Sequence, residues 1–203
     1  MVAVRKGNAG FTLTEVMVVV VILSILAALS TPLFTRDNNV RKGRGWAKVV
    51  AQILQRARFQ AMGDRANIHV LPYRTHIEVY REELPIPPAT AITYTLISST
   101  PGPYGESTPG APTIAIWDAR NDLTQPGDQN TVLSEAPAVP VSGSVSANDI
   151  VFSSLGSTTP FAHWKIYIRN ELLPKNHPDA GFLINIGGLT GFVSANDHWS
   201  PSK

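Results

Sequence analysis

Few residues in this 203-residue chain are of a type and spacing that could do chemistry, and each set invites a definite reading. A hairpin centred between Pro72 and Tyr73 would put His69 opposite His76, on the face away from Ile68 and Ile77, close enough to share a metal ion. Two exposed histidines on a solvated strand face account for the same letters, and the sequence sets no third ligand, so no metal site is expected. Asp118, Asn121, Asp122 and Asp128 could offer oxygen ligands to Ca²⁺, but their spacing is not that of an EF-hand loop. Turn residues of a solvated loop are the plainer reading. The run Gly187-Gly188-Leu189-Thr190-Gly191 lacks the strand, helix and acidic context of a dinucleotide site, and no nucleophile elbow, zinc-protease helix or phosphate-binding loop occurs. No catalytic residue, cofactor or enzymatic activity is expected. Of the aromatics that could line a ligand site, Tyr104, Trp117, Trp164 and Trp199, the two in or beside strand-like runs, Trp117 and Trp164, read as core, whereas Trp199 lies in a polar tail.

The most telling titratable residue is Glu15. From Phe11 through Phe34 it is the only charged residue, and the stretch from Val16 to Leu29 reads VMVVVVILSILAAL. About 24 residues at roughly 1.5 Å each exceed a hydrocarbon thickness of roughly 30 Å, so the segment is long enough to span a membrane. A carboxylate at the start of such a helix costs up to a few kcal/mol in lipid, which makes it a functional candidate. Arg5 and Lys6 precede the apolar run and would hold the N-terminus on the cytoplasmic side. Ala28-Leu29-Ser30 also supplies a small-x-small pattern, so export with cleavage after Ser30 is an alternative, in which the rest is a soluble exported protein.

Charge is unevenly distributed. Arg36 to Arg65 carries a net +6, whereas Ala66 to Lys203 carries −5, although the whole chain sums to +2 with a pI near 9.0. The acidic C-terminal part disfavours phosphate recognition, so nucleic acid is not an expected partner. The basic residues Arg36, Arg41, Lys42 and Arg44 would meet lipid phosphates or acidic surfaces of neighbours, or simply form a solvated helix face. With no cysteine, neither disulfides nor thiolate metal sites are possible.

The elements that must position these residues follow from periodicity. Trp46, Val49, Val50, Ile53, Leu54, Ala57 and Ala61 recur at spacings of three and four, one face of an amphipathic helix expected to end near Met62 with Gly63 as its cap. Gly43 and Gly45 would weaken it locally. The rest reads as strands: 66–71 and 75–80 as a hairpin, then 91–97, 113–117, 149–152, 165–169, 182–186 and 191–194, with a long loop from Asp118 to Asn148. The expected class is α+β, a long helix packed on a mainly antiparallel β-sheet head.

Gly10-Phe11-Thr12-Leu13-Thr14-Glu15, after a basic leader and before an apolar helix, resembles the processing site of bacterial type IV pilins and type II secretion pseudopilins. The helix end LQRARFQAM followed by a hairpin, the run Ile150 to Gly156, and the closing unit Phe182 to Val193 resemble the GspH/FimT group of minor subunits. The resemblance implies a type IV pilin-like fold with residues 1–10 as prepilin leader, 11–34 as membrane-spanning assembly helix, 35–63 as amphipathic helix and 64–203 as extracytoplasmic β-rich head with long loops. It implies cleavage by a prepilin peptidase after Gly10 and N-methylation of Phe11, Glu15 as the residue that sets register with neighbouring subunits, and Pro32 as a point where the helix can kink. An ordinary end of the membrane helix is the other reading of Pro32. The implied partners are the peptidase, other major and minor pilins or pseudopilins, and inner-membrane lipid before assembly. The implied location is the bacterial inner membrane, single-pass with the N-terminus cytoplasmic, and then a filament of type IV pilus biogenesis or type II secretion. A pilus-associated binding module for DNA or a surface ligand is the alternative role. Loss of the leader would remove Arg5 and Lys6 and bring the side-chain charge from +2 to zero.

Overall fold

A computed structural model describes residues 12–85, 91–104, 112–121, 149–174 and 176–196, with side chains throughout except at 29–36, 117, 118, 120, 121 and 196. Gly10, Phe11, Asp122, Asp128 and Trp199 lie outside the described residues. Helix α1 (Leu13–Asp64) is followed by strands β1 (Ile68–Pro72), β2 (His76–Glu83), β3 (Thr93–Pro101), β4 (Ile114–Asn121), β5 (Ile150–Phe152), β6 (Thr158–Thr159), β7 (Trp164–Asn170), β8 (Gly181–Ile186) and β9 (Val193–Asn196). The chain divides into two compact units, Met1–Asn38 and Asn39–Lys203.

In the second unit the fold is α+β. The strands form two antiparallel sheets, one ordered β3-β2-β1-β5-β6 and the other β4-β7-β8-β9. The core lies between these sheets and the helix. Trp46, Val50, Leu54, Ala57 and Ala61 are buried together with Ile68, Val70, Ile77 and Val79 of the first sheet and Ile166, Ile168, Phe182 and Ile184 of the second. Val49 and Ile53 border this stripe, as the period of the sequence predicts. Strand β7 alternates strictly, with Trp164, Ile166, Ile168 and Asn170 turned inward.

Several expectations are corrected. The helix runs past Gly63 to Asp64, and the residue that closes it is Arg65, with φ of 53°. The Ala66 amide then reaches back to the Ala61 carbonyl (3.3 Å), the bond of a left-handed helix cap. Gly63 is an ordinary helical residue. The hairpin turns at Tyr73 to Thr75, so His69 pairs with Tyr80, not His76, and His76 faces Pro101 of β3. Asp118 and Asn121 belong to β4, which continues beyond Trp117 through a bulge between Ile116 and Asp118, so they are not loop residues. The two-residue strand β6 was not foreseen, since so short a run carries no period.

Candidate functional site

The N-terminal stretch is where the sequence concentrates its chemistry. Thr12 caps the helix: the Glu15 amide donates to the Thr12 carbonyl (3.1 Å) and to Thr12 Oγ1 (3.2 Å). Glu15 therefore sits in the first turn of α1, exposed, where a carboxylate also meets the positive end of the helix dipole. Every residue from Thr12 to Ala28 is exposed, including Val16, Met17, Val18, Val19, Val20, Val21, Ile22 and Leu23, so apolar side chains emerge on all faces of the helix. Ser24 donates its hydroxyl to the Val20 carbonyl (2.8 Å), so this hydroxyl needs no partner outside the helix. Pro32 lies inside α1, which continues helical on both sides of it, so Pro32 is not the helix end. Its nitrogen has no hydrogen to donate to the preceding turn. Among the described residues no helix is long and apolar enough to cross a membrane.

Where the helix joins the head, Gly43 is buried, and a Cβ there would lie 3.0 Å from Asn170 Nδ2 and 3.1 Å from Phe182 Cε2. The glycine lets the helix backbone come close to β7 and β8. The fully buried Asn170 donates to the Asn39 carbonyl (2.9 Å), and Tyr104 donates to Asn39 Oδ1 (2.8 Å) with Lys42 4.4 Å above its ring. Arg44 pairs with Asp179 at 2.6 Å. Two of the basic residues expected to meet lipid or neighbours, Lys42 and Arg44, thus engage their own head.

At the other end of this helix segment, the two runs that carry the downstream resemblance are brought together. Gly156 and Gly191, both at positive φ, abut each other, and Arg58 Nε donates to the Gly156 carbonyl (3.1 Å). A Cβ on Gly191 would collide with that carbonyl, so the glycine answers a close approach of two loops. Thr158 Oγ1 lies within 3.2 Å of the carbonyls of Pro160, Ala162 and Gly188, which ties the same loops to one another. The glycine run thus serves packing.

The histidines are not the exposed pair expected. His69 is buried, with Nδ1 2.7 Å from Asp149 Oδ2 and Nε2 3.2 Å from Glu82 Oε2. Asn67 Nδ2 holds the same Glu82 oxygen (2.9 Å), and the Tyr94 ring meets the imidazole edge to face at 5.0 Å. Burial acts to lower the pKa of His69, but Asp149 and Glu82 outweigh it and raise the pKa above its ordinary value. His76 instead stacks on Tyr73 at 4.4 Å. Among the described residues no group of three or more His, Asp or Glu is arranged to hold a metal ion. Sequence reading missed this cluster because Asp149 is 80 residues from His69 and no local period joins them. Of the aromatics, Trp164 is core and Tyr104 is the partly exposed partner of Lys42.

Comparison with known proteins gives two findings. Residues 5–31 match the prokaryotic N-terminal methylation motif. Two crystal structures of the type IV minor pilin FimU of Pseudomonas aeruginosa PAO1, from crystals in space groups P65 and P21, are similar to this chain with a TM-score of 0.43 each. Identity is 13% and 14%, over 75% and 83% of this chain and 91% and 95% of the FimU chains. No curated protein matches the chain. The chain carries the prokaryotic N-terminal methylation motif by which its sequence resembles type IV pilins and pseudopilins, and it joins that motif to a helix packed in an α+β head of two antiparallel sheets.

Proposed function

We propose that this protein is a minor type IV pilin or pseudopilin, a structural and non-enzymatic subunit that assembles into a filament or primes one. The observation that carries the proposal is the methylation motif over residues 5–31 leading onto a helix whose apolar side chains are exposed on every face. A helix of that kind needs an apolar environment on all sides, which lipid supplies before assembly and the helices of other subunits supply afterwards. With the residues through Phe34 the apolar run is long enough to anchor the chain in the inner membrane, N-terminus inside and head outside. On this reading a prepilin peptidase cuts after Gly10, Phe11 becomes the methylated N-terminus, and Glu15 pairs with the terminal amine of a neighbour. Pairing removes the cost of a lone carboxylate in an apolar medium and so selects one register. Pro32, with no hydrogen to donate, is where the helix can bend as the subunit leaves the membrane.

The decisive experiment has two arms. Mass spectrometry of the mature protein is expected to find an N-terminal methylated Phe11, whereas a chain starting after Ser30 would mean simple export. Glu15→Ala is expected to leave membrane insertion and cleavage intact but to abolish recovery of the subunit in sheared filaments. Normal incorporation of that variant would overturn the assembly role of Glu15.

A further inference from the structure

The His69 cluster is unused by the assembly reading, and its geometry has a definite charge requirement. Both ring nitrogens face carboxylate oxygens, Nδ1 on Asp149 at 2.7 Å and Nε2 on Glu82 at 3.2 Å. A neutral imidazole has one N–H and can satisfy only one of them, leaving a lone pair aimed at the other oxygen. An imidazolium donates to both. Asp149 depends on that charge more than Glu82 does. Its Oδ2 meets His69, while among the described residues its buried Oδ1 has no hydrogen-bond partner. Glu82 has a second donor in Asn67.

We infer that His69 is a proton-operated clamp of the head: as an imidazolium it fastens Asp149, just ahead of β5, and Glu82, near the end of β2, to strand β1, and loss of its proton releases Asp149. The β5 start is held to β1 by few other bonds, since only Ile150, Val151 and Phe152 pair with it. Among the described residues the titratable groups facing the imidazole are Glu82 from β2, Tyr94 from β3 and Asp149 ahead of β5. Tyr80, its register partner on β2, turns its hydroxyl to Glu78 (2.8 Å). Arg81, on the opposite face of β2, lies near Asp64 and Glu83 at 3.9 and 3.7 Å and contributes no cation to the cluster. Tyr94 stays neutral in the relevant range, because burial, Glu82 and Asp149 all raise its pKa.

The sign follows from linkage. A histidine whose folded pKa is raised contributes stability that is fully present below its unfolded value of 6.5 and is lost as pH rises through the folded pKa. The test uses the full chain in detergent micelles. Histidine C2 hydrogen–deuterium exchange read by mass spectrometry is expected to show His69 titrating above 6.5, and Asp149→Asn is expected to shift that titration down. The thermal midpoint of the wild type is expected to fall by several degrees between about pH 6 and about pH 9, and His69→Gln is expected to remove most of that fall. A His69 titration at or below 6.5, or an undiminished fall in His69→Gln, overturns the clamp. If His69→Gln does not fold, the wild-type exchange measurement still decides the matter.

Discussion

Helix α1 passes through two regions with the same backbone and opposite demands on their surroundings. From Leu13 to Leu26 it is apolar on all faces and exposed, while from Trp46 to Ala61 it is apolar on one face and that face is buried. The contrast shows why hydrophobicity alone misleads. In the second region the apolar surface is already removed from water within the chain, so those residues stabilise the head. In the first nothing within the described chain covers them, so they contribute no such burial to the stability of the head.

That contrast can be broken by substitution. Leu54→Ala in the core stripe is expected to cost the head about 2–5 kcal/mol, because a fully buried leucine leaves a cavity, whereas Ile22→Ala should leave the thermal midpoint of the head unchanged. Near-UV circular dichroism melts of the full chain in detergent would measure both, and equal effects would remove the distinction. Gly43→Val comes next. The new side chain would press on Asn170 and Phe182, with an expected cost of about 1–3 kcal/mol in the same melts, while Gly45→Ala, which has open space around it, should be neutral or slightly stabilising. The smallest effect belongs to Asp179→Ala. It removes the ion pair with Arg44, whose side chain is half exposed, and should lower stability by no more than about 1 kcal/mol, less still at high salt.

The two regions were also unequally legible. The spacing of Trp46, Val50, Leu54, Ala57 and Ala61 foretold the buried stripe, and the apolar run with its single carboxylate marked the N-terminal segment, because both signals are local and periodic. The alternation marks strands β1 to β5 and β7 to β9 for the same reason, though β2, β3, β4 and β9 extend two to four residues beyond the expected ends. The turn of the first hairpin was misplaced because Pro72, read as a turn residue, ends a strand paired with Ile77. That shift moved His69 from an expected partner, His76, to Tyr80, and its burial between Asp149 and Glu82 depends on contacts made across 80 and 13 residues. Likewise, Gly43 looked like a weak point of the helix until its closeness to Asn170 and Phe182 gave it a packing role.

The sequence by itself determined what recurs within a turn or two of chain: the N-terminal methylation motif, the apolar helix with Glu15 in its first turn, the amphipathic period and the alternation of the strands. Those features express local preferences of side chains for water or for apolar surroundings. Only the tertiary structure decided which polar groups meet. The fold joins Arg58 to the glycine loops, Asn39 to Asn170 and Tyr104, and His69 to two carboxylates. A hydrogen bond or ion pair depends on distance and burial, and long-range chain packing sets both.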